Sequence, residues 1–444
     1  MIVRALALTA LLLSSKGFAQ PPAYAHPDFF SSTDPIPLTL EAPLHQLFEQ
    51  GSEDEKYSVP GTLSYKDPAS GADVVIRDVK VAVRGHTSRR ETECSFPKLK
   101  LELPGGYDLR IGTHCGEVTD DTLSTKYGRL PNEKSAWREG LVYRLLDSVG
   151  VPTLQSRAAR VTYVDPAEAA PLVRNALLLE DDKAAMKRLK GTSEIPIETF
   201  GSVRTRGAAD DAARIAFGEA MIGNFDWCLK FSPDDIYRCN EPKPLWNVLA
   251  FERGTKAALV MKDFDLAGMV VGHHPWFATV FNPAFVPSKS EVEIEVLAQV
   301  QRVRSLFPRA QLDALRRGFL DRKTAAYSVL DTSKVDEAGR RIARAYLDNF
   351  FKAIDDAAFY RPVVVKPDTQ VYADAQRTKE ACGVKDVFRI GTPVNEVQKS
   401  GTMSQVVVLD AMWRWAQKDS CDLVRTGPVW IASDSVGRDY PSKN

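Results

Sequence analysis

Alternating apolar and polar residues dominate the first part of the chain. Alternation of this kind places every second side chain on one face, as in a half-buried β-strand. It predicts strands at residues 36–40, 60–65, 74–84 and 158–164, and a further strand is predicted at the apolar run of residues 175–179. One helix interrupts the series at residues 131–150, where apolar residues recur at helical spacing and Gly150 ends the run.

Helical spacing takes over in the second part of the chain, between residues 288 and 355. It predicts three helices, at about residues 292–306, 310–330 and 335–354. A mixed or antiparallel sheet followed by a helical bundle is an α+β architecture, here with two lobes. With 444 residues the chain is long enough for two or three domains.

The pattern changes again after Tyr360, where short strand-like runs are separated by Gly and Pro. These runs predict a small β-barrel. We therefore expect an α+β domain at residues 20–362 and a small β-barrel domain at residues 363–444, preceded by a targeting segment at residues 1–19.

The targeting segment has the features of a cleavable signal peptide. Arg4 supplies positive charge, residues 5–13 are apolar, and the small residue Ala19 precedes Gln20. An uncleaved anchor is the alternative, but this apolar run is short for a membrane span. We expect a secreted or periplasmic protein that is soluble after cleavage and does not span the membrane.

Export changes the interpretation of the six cysteines, because oxidising compartments favour disulfides. Pairing in sequence order gives Cys94–Cys115, Cys228–Cys239 and Cys382–Cys421, although six cysteines permit 15 pairings. A zinc site competes with this prediction, but the chain has no CxxC spacing.

Lys plus Arg and Asp plus Glu number 58 each, so net charge indicates neither a nucleic-acid partner nor a membrane surface.

Candidate chemistry concentrates between residues 221 and 270. Asp226 follows an apolar helix, Asn247 opens a strand-like run, and Asp263 and Asp265 follow a second strand. Carboxylates bracketed by apolar residues lose hydration unless a partner compensates. Oxygen donors of this kind suit a hard ion such as Mg²⁺. The simpler alternative is that Asp226 caps a turn and that the other two acids pair with nearby Lys or Arg residues.

A basic segment precedes this acidic one. Residues 84–90 form a turn rich in hydrogen-bond donors, and Lys98, Lys100 and Glu102 share one face of the following strand. A solvent-facing edge strand explains the alternation simply. The functional alternative places one of the two lysines against the phosphates of a nucleotide.

Seven short motifs appear in a fixed order over residues 75–270. They are Arg84-Gly85-His86-Thr87-Ser88-Arg89, Phe96-Pro97-Lys98, Trp137-Arg138-Glu139, Leu177-Leu178-Leu179-Glu180-Asp181-Asp182, Gly223-Asn224-Phe225-Asp226-Trp227, Trp246-Asn247 and Lys262-Asp263-Phe264-Asp265-Leu266. Taken together they resemble the CotH kinase family, which consists of atypical secreted kinases. An Asp, a later Asn and a final Asp-Phe-x pattern follow one another in protein-kinase-like sites generally.

The resemblance implies a role for each matched residue. Asp226 is the implied catalytic residue, Asn247 and Asp263 the implied metal ligands, and Asp265 the alternative or second acidic ligand. Lys98 or Lys100 would contact phosphate. Glu139 would orient that lysine, unless it forms an ion pair on the helix surface. The residues implied at the phosphate entrance are Arg84, His86, Ser88 and Arg89, and guanidinium groups suit phosphate oxygens.

The implied activity is transfer of phosphate from ATP, with Mg²⁺ or Mn²⁺, to a protein or cell-envelope acceptor. The sequence departs from the family pattern in three ways. The interval from Asp226 to Asn247 is longer, His86 stands where Asn is common, and no glycine-rich phosphate loop of the ordinary kinase type occurs. Two other functions therefore stay open: an inactive pseudo-kinase that binds envelope components, and a metal-dependent hydrolase.

The last segment separately resembles bacterial SH3-like domains. The residues that carry this resemblance are Val371-Tyr372-Ala373-Asp374, Gly391-Thr392-Pro393-Val394 and Gly427-Pro428-Val429-Trp430-Ile431-Ala432-Ser433. The resemblance implies a peptidoglycan or peptide ligand. Trp413 and Trp415 are candidates for its binding face, or for the core of the small barrel.

Overall fold

The computed structural model describes most of the chain between residues 28 and 437. The described ranges, apart from the single residues Ala69, Thr87, Thr92 and Pro308, are 28–117, 132–196, 209–229, 245–272, 290–355, 359, 363–366, 369–380, 387–388, 394–407 and 428–437. The expected signal peptide lies outside them, as do Cys239, Cys382, Cys421, Trp413 and Trp415.

Seven strands close a barrel in the first part of the chain, in the order β1-β2-β3-β4-β5-β7-β6. They are β1 (Ile36–Glu41), β2 (Ser58–Lys66), β3 (Asp73–Val83), β4 (Leu99–Leu103), β5 (Tyr107–Gly112), β6 (Ser156–Val164) and β7 (Leu172–Glu180). The predicted strands are confirmed, and neighbours pair antiparallel around most of the barrel. Closure comes from the parallel pair β1–β6, in which Leu38 lies opposite Val161. The sequence pattern did not indicate this closure.

The barrel interior is filled by the apolar half of each alternating strand. On β4, Leu99, Leu101 and Leu103 point inward and are buried, whereas Lys100 is only half-buried on the outer face. The short helix α1 (Leu44–Gly51), which the pattern did not predict, packs against β3. Sheet alternation therefore fixes which side chains of β4 are available outside the barrel.

The predicted helix between the strands is confirmed as α2 (Glu133–Ser148). It begins at Asn132, whose side chain accepts a hydrogen bond from the Lys134 amide at 2.9 Å and so caps the helix. The helix packs outside the barrel against β6 and β7. A short helix, α3 (Asp182–Arg188), follows β7 directly.

Helices and small hairpins form the second region. After β8 (Ser193–Glu194) the elements are α4 (Ala209–Ile222), β9 (Cys228–Leu229), β10 (Leu245–Trp246), β11 (Val248–Arg253), β12 (Lys256–Met261), α5 (Gly268–Val271), α6 (Glu291–Leu306), α7 (Arg309–Asp321), α8 (Lys323–Asp331) and α9 (Glu337–Asp355). Helices α4, α6 and α9 pack on one another and share one apolar core with the β11–β12 hairpin.

One predicted helix was wrong in its length. The pattern predicted a single helix at 310–330, but the structure divides it into α7 and α8 at Arg322. The Arg322 amide donates to the Phe319 carbonyl at 3.1 Å, a three-residue turn that interrupts the α-helical ladder. Helical periodicity of the side chains continues across such a turn, so the break is hard to see in the sequence.

A buried ion pair joins the two regions. Arg138 on α2 is almost fully buried, and its Nε and Nη2 donate to Asp336 Oδ2 and Oδ1 at 2.9 and 2.8 Å. Asp336 precedes α9 and also accepts from the Gly339 amide at 3.0 Å. The barrel-facing helix is thus tied to the beginning of the last helix of the second region.

The third part contains short strands around a small apolar core. They are β13 (Val363–Val364), β14 (Thr369–Gln370), β15 (Val387–Phe388), β16 (Asn395–Ser400), β17 (Met403–Val407), β18 (Val429–Ala432) and β19 (Val436–Gly437). Strand β13 pairs with β19, so the two ends of this part meet. The expectation of an SH3-like barrel stays a prediction, as do the domain boundaries.

Of the predicted disulfides, Cys94–Cys115 is confirmed. Cys228 is also disulfide-bonded, while its predicted partner Cys239 is outside the described residues.

In the described part of the chain, no helix combines the length and apolar character that a membrane crossing requires. The α+β class expected from the sequence is confirmed.

Candidate functional site

The β11–β12 hairpin brings two of the predicted metal ligands together. Val248 lies opposite Met261, so Asn247 and Asp263 flank the same end of the hairpin. The Lys262 amide donates to the Asn247 carbonyl at 3.0 Å. Asn247 and Asp263 both adopt left-handed backbone conformations, with φ of 55° and 64°. Asn and Asp tolerate this conformation better than other side chains.

Asp226 meets Asn247 because β9 and β10 form a second small hairpin. The pairing places Trp246 opposite Cys228, so the residues just outside it are neighbours. Asn247 Nδ2 donates to the Asp226 carbonyl oxygen at 2.7 Å and to Asp226 Oδ2 at 3.1 Å. Trp246 Nε1 donates to Asp226 Oδ1 at 3.0 Å. Both carboxylate oxygens of Asp226 therefore accept hydrogen bonds.

Lys98 reaches from the barrel to the acidic segment after β12. Its Nζ lies 2.8 Å from Asp263 Oδ1 and 3.0 Å from Asp265 Oδ2, and its side chain is only 12% exposed. The Lys98 carbonyl accepts from the Arg84 amide at 2.7 Å, which fixes the strand end that carries it. The pairing of both acids with a lysine, one alternative drawn from the sequence, is what the structure contains.

Glu139 is buried behind this ion pair, so the alternative of an ion pair on the helix surface is wrong. Its Oε1 accepts from the Phe264 amide at 3.3 Å. Burial raises the pKa of Glu139 to about 7; Lys98 opposes this increase, and the charges of Asp265 and Asp263 add to it. One helix turn away, the Tyr143 hydroxyl accepts from the Asp263 amide at 2.9 Å.

The donor-rich turn contributes Arg84 to the same site. The charge of Arg84 lowers the pKa of Glu139 against the dominant effect of burial, so the guanidinium lies nearby. Its Nη1 is buried and has no hydrogen-bond partner among the described residues. Gly85 has a φ of +100°, and a Cβ there would lie 2.3 Å from Ser88 Oγ. The turn therefore requires glycine. Ser88 itself is buried and donates to the Arg84 carbonyl.

Three of the predicted phosphate contacts are exposed or paired with other residues. Lys100 pairs with Glu102 at 3.1 Å and Asp108 at 2.9 Å on the barrel surface. It shares a face with Lys98 but stands two residues, roughly 6.6 Å, along the strand. Arg89 pairs with Glu55, and His86 is exposed. The structure therefore favours Lys98 over Lys100, and it places the Arg84 guanidinium group near Glu139.

Helix α6 supports the site with polar residues that the sequence analysis missed. Gln299 Nε2 donates to the Asn224 carbonyl at 2.6 Å, and Asn224 Oδ1 accepts from the Asp226 amide at 3.0 Å. Glu295 accepts a hydrogen bond from the Tyr346 hydroxyl. Glu295 and Gln299 are fully buried on a helix surrounded by apolar residues, where a polar side chain requires a partner. Their spacing of four residues was the available signal.

A second group of charges lies beside the first. Asp182 accepts from Arg110 Nη1 at 2.7 Å and pairs with Lys262 at 3.2 Å. Burial alone would raise the pKa of Asp182, but these two cations keep it below its usual value. Because Lys262 precedes Asp263, this group fixes the end of β12 against β5 and α3.

The site contains carboxylate and amide oxygens, which are the chemical type of donor that a hard divalent ion prefers. Among the described residues no group of three or more His, Cys, Asp or Glu residues is arranged to hold a metal. The site instead offers the Asp263 and Asp265 carboxylates and the amide of Asn247. The Asn247 NH₂ group donates to Asp226, so the amide oxygen is its donor for a cation. Lys98 Nζ would compete with an ion for the two carboxylates.

Comparisons with known proteins add little. No protein-family model matches the chain. No curated protein matches it either. One similar solved structure is the crystal structure of the Helicobacter pylori proinflammatory kinase CtkA, at 11% identity and a TM-score of 0.31, covering 59% of this chain and 90% of that one. A similarity at this TM-score carries no argument, so the function has to be argued from the site.

Proposed function

We propose that this chain is a secreted CotH-like atypical kinase that transfers a phosphoryl group from a nucleoside triphosphate to a protein or cell-envelope acceptor. The observation that carries the proposal is the position of Lys98, which extends from the barrel to Asp263 and Asp265 with buried Glu139 behind them. In this proposal the barrel and the helical region are the two lobes of a kinase-like domain.

Phosphate binding falls to the basic groups on the barrel side. Lys98 presents an ammonium group at the acidic segment, and Arg84 has a buried N–H group without a partner among the residues that the structure describes. A phosphate oxygen would satisfy that donor, and buried donors are normally satisfied. Glu139 lies close enough to influence both cations and limits the positions that they can take.

Asp226 is the residue proposed to orient the accepting hydroxyl group. Its carboxylate is fixed by two N–H donors and its main chain by Asn224 and Asn247. A rigid acceptor of this kind contributes to catalysis by positioning.

Asn247, Asp263 and Asp265 are the residues that would hold Mg²⁺ or Mn²⁺. When bound, such an ion would neutralise negative charge on the phosphate groups. Lys98 offsets only one of the two carboxylate charges, but its ammonium group would compete with the ion, so we expect ion binding to strengthen once a phosphate group binds Lys98.

The same contact supports a second candidate, an inactive pseudo-kinase that binds envelope components. Lys98 already places a cation between Asp263 and Asp265, where a kinase would hold a metal ion. Nucleoside triphosphates are also scarce outside the cytoplasm, where a secreted kinase would work. For either candidate, residues 363–444 are proposed to be an SH3-like module for a peptidoglycan or peptide ligand.

A thermal-shift titration with ATP and Mn²⁺ tests nucleotide binding. We expect the wild type to gain stability, since a ligand that binds only the folded state stabilises it. Asp263→Asn should lose the gain, while Asp108→Asn, which affects the Lys100 ion pair instead, should keep it. An absence of any shift in the wild type would contradict the kinase proposal.

Transfer of labelled γ-phosphate then separates the kinase from the pseudo-kinase. We expect transfer to envelope proteins by the wild type and none by Asp226→Ala. Stabilisation by ATP without transfer would favour the pseudo-kinase.

Co-sedimentation with peptidoglycan tests the proposed SH3-like module at residues 363–444. The full chain is compared with a chain that ends at residue 362, and equal retention of the two would contradict the assignment of a peptidoglycan ligand to this module.

A further inference from the structure

Trp246 belongs to the Trp246-Asn247 motif, in which the family resemblance assigns a role to Asn247 alone. Its indole N–H donates to Asp226 Oδ1 at 3.0 Å, while the Asn247 amide group donates to Asp226 Oδ2 at 3.1 Å. An indole N–H can only donate, so this contact requires an acceptor oxygen on Asp226. Two neighbouring residues therefore hold the two oxygens of one carboxylate.

This arrangement depends on an unusual backbone conformation. In an extended strand, consecutive side chains point to opposite faces, so residues 246 and 247 would not contact the same group. Asn247 has a φ of 55°, in the left-handed region, between β10 and β11. That conformation interrupts the alternation and lets both side chains reach Asp226. A conformation that strains most residues is common at functional sites.

We infer that Trp246 is a positioning residue, which fixes the Asp226 carboxylate in the orientation needed to receive the acceptor hydroxyl group. The inference rests on the proposed function for its catalytic consequence. The contact itself does not depend on turnover. With Trp246 removed, Oδ1 would lose the indole donor, while the Asn247 amide group would still donate to Oδ2.

NMR of the indole groups tests the contact in the full-length protein without any activity assay. The Trp246 indole resonance is assigned by its loss in Trp246→Phe. We expect Asp226→Asn to move this proton upfield, because a hydrogen bond to a carboxylate is stronger than one to an amide. The Trp137 indole donates to the Ala159 carbonyl, also at 3.0 Å, and its resonance should stay unchanged. An unmoved Trp246 resonance would overturn the inference.

Kinetics test the consequence. Trp246→Phe keeps an aromatic ring and loses the donor, so we expect kcat to fall about tenfold with little change in the KM for ATP. The matched control Trp137→Phe removes an indole hydrogen bond of the same 3.0 Å length, whose acceptor is the Ala159 carbonyl and not Asp226, and it should retain the wild-type kcat. A kcat for Trp246→Phe within twofold of the wild type, or an equal loss in Trp137→Phe, would overturn the inference.

The two experiments also separate this inference from the proposed function. If the wild type transfers no phosphate but the Trp246 resonance responds to Asp226→Asn, the kinase proposal fails while the assigned contact stands. If the wild type is active and Trp246→Phe is equally active, the kinase proposal stands and the positioning role fails.

Discussion

Strand β4 in the barrel and helix α6 in the second region bury their residues in opposite ways. The inward positions of β4 are Leu99, Leu101 and Leu103, all apolar. Helix α6 buries Glu295 and Gln299 completely, and each is hydrogen-bonded to another part of the second region. Apolar packing is non-directional, whereas buried hydrogen bonds fix orientation. The barrel is thus a frame held by apolar packing. The helical region holds its loops in fixed orientations by buried hydrogen bonds.

The site uses both properties at once. Lys98 extends from the barrel frame, and its two acidic partners belong to a segment held by Tyr143 and Glu139 on α2. Asp226 belongs to a loop held from α6 through Asn224 and Gln299. A change in the barrel interior should therefore alter stability alone. A change in the polar contacts should alter stability and activity together.

Loss of Lys98 should have the largest effect. Lys98→Met removes an ammonium group that pairs with both Asp263 and Asp265, and it removes the proposed phosphate contact. We expect phosphate transfer to fall at least about 100-fold, as for the loss of one preorganised charged donor. Lys100→Met is the matched control on the same strand and should keep full activity. Equal losses in the two variants would refute the assignment of Lys98.

Replacement of Glu139 should change how stability depends on pH. Its pKa is about 7 in the folded protein against an ordinary value of 4.5, so the folded state binds more protons between these values. Stability should therefore fall as pH rises from 4.5 to 7, by on the order of 3 kcal/mol if this group acts alone. Glu139→Gln should lack this decline, as measured by urea unfolding at pH 4 to 8.

The control for that experiment lies on the same helix. Glu133 pairs with Arg160 near the surface, and Glu133→Gln should keep the wild-type dependence on pH. If Glu139→Gln follows the wild-type curve between pH 4 and 8, then Glu139 does not carry the proton that its burial implies.

Replacement of Gln299 tests the polar side of the comparison. Gln299→Leu leaves the buried Asn224 carbonyl without this donor, so we expect a loss of about 2 kcal/mol in the free energy of unfolding. Activity should fall in the same variant, because Asn224 holds Asp226.

A barrel variant provides the matching apolar control. Leu101→Met conserves volume in the core and should cost less than about 1.5 kcal/mol with no loss of activity. For both variants, Gln299→Leu and Leu101→Met, stability is measured by urea unfolding and activity by phosphate transfer. A loss of activity in Leu101→Met as large as that in Gln299→Leu would remove the distinction between frame and oriented loops.

The smallest effect is expected at the barrel surface. Lys80 and Glu102 pair at 3.2 Å, but their side chains are 53% and 39% exposed. Exposed pairs contribute little, so Lys80→Met should change the free energy of unfolding by less than about 0.5 kcal/mol. A loss above about 1 kcal/mol in the free energy of unfolding, measured with urea, would contradict this expectation. It would show that charges on the outer face of β3 and β4 contribute substantially to barrel stability.

The sequence predicted the elements well because their periodicity is local. The strands that flank Asn247 and Asp263 were visible as two apolar runs with a polar break, and an antiparallel pairing of such runs brings their outer ends together. The sequence could not choose between Lys98 and Lys100, because alternation places both on one face. The choice is made by the position of the hairpin relative to β4, a long-range relation.

The burial of polar residues was also not predictable from the sequence. Glu139 lies on a helix whose sequence also fits an exposed ion pair, and its burial depends on contact with Phe264, 125 residues later. The shared contact of Trp246 and Asn247 with Asp226 depends on one left-handed residue, which a strand pattern cannot reveal. These features come from tertiary contacts, and propensity says little about them.

The parallel pair β1–β6 has a consequence for the order in which the chain acquires its structure. Residues 36–41 leave the ribosome early, but their partner at 156–164 follows only after β2 to β5 and α2. The barrel therefore cannot close during synthesis until Lys98 and Glu139 are both present. Long-range pairing of this kind is slow and leaves a strand edge exposed meanwhile. The early edge strand is thus the part of the nascent chain most in need of protection by a chaperone.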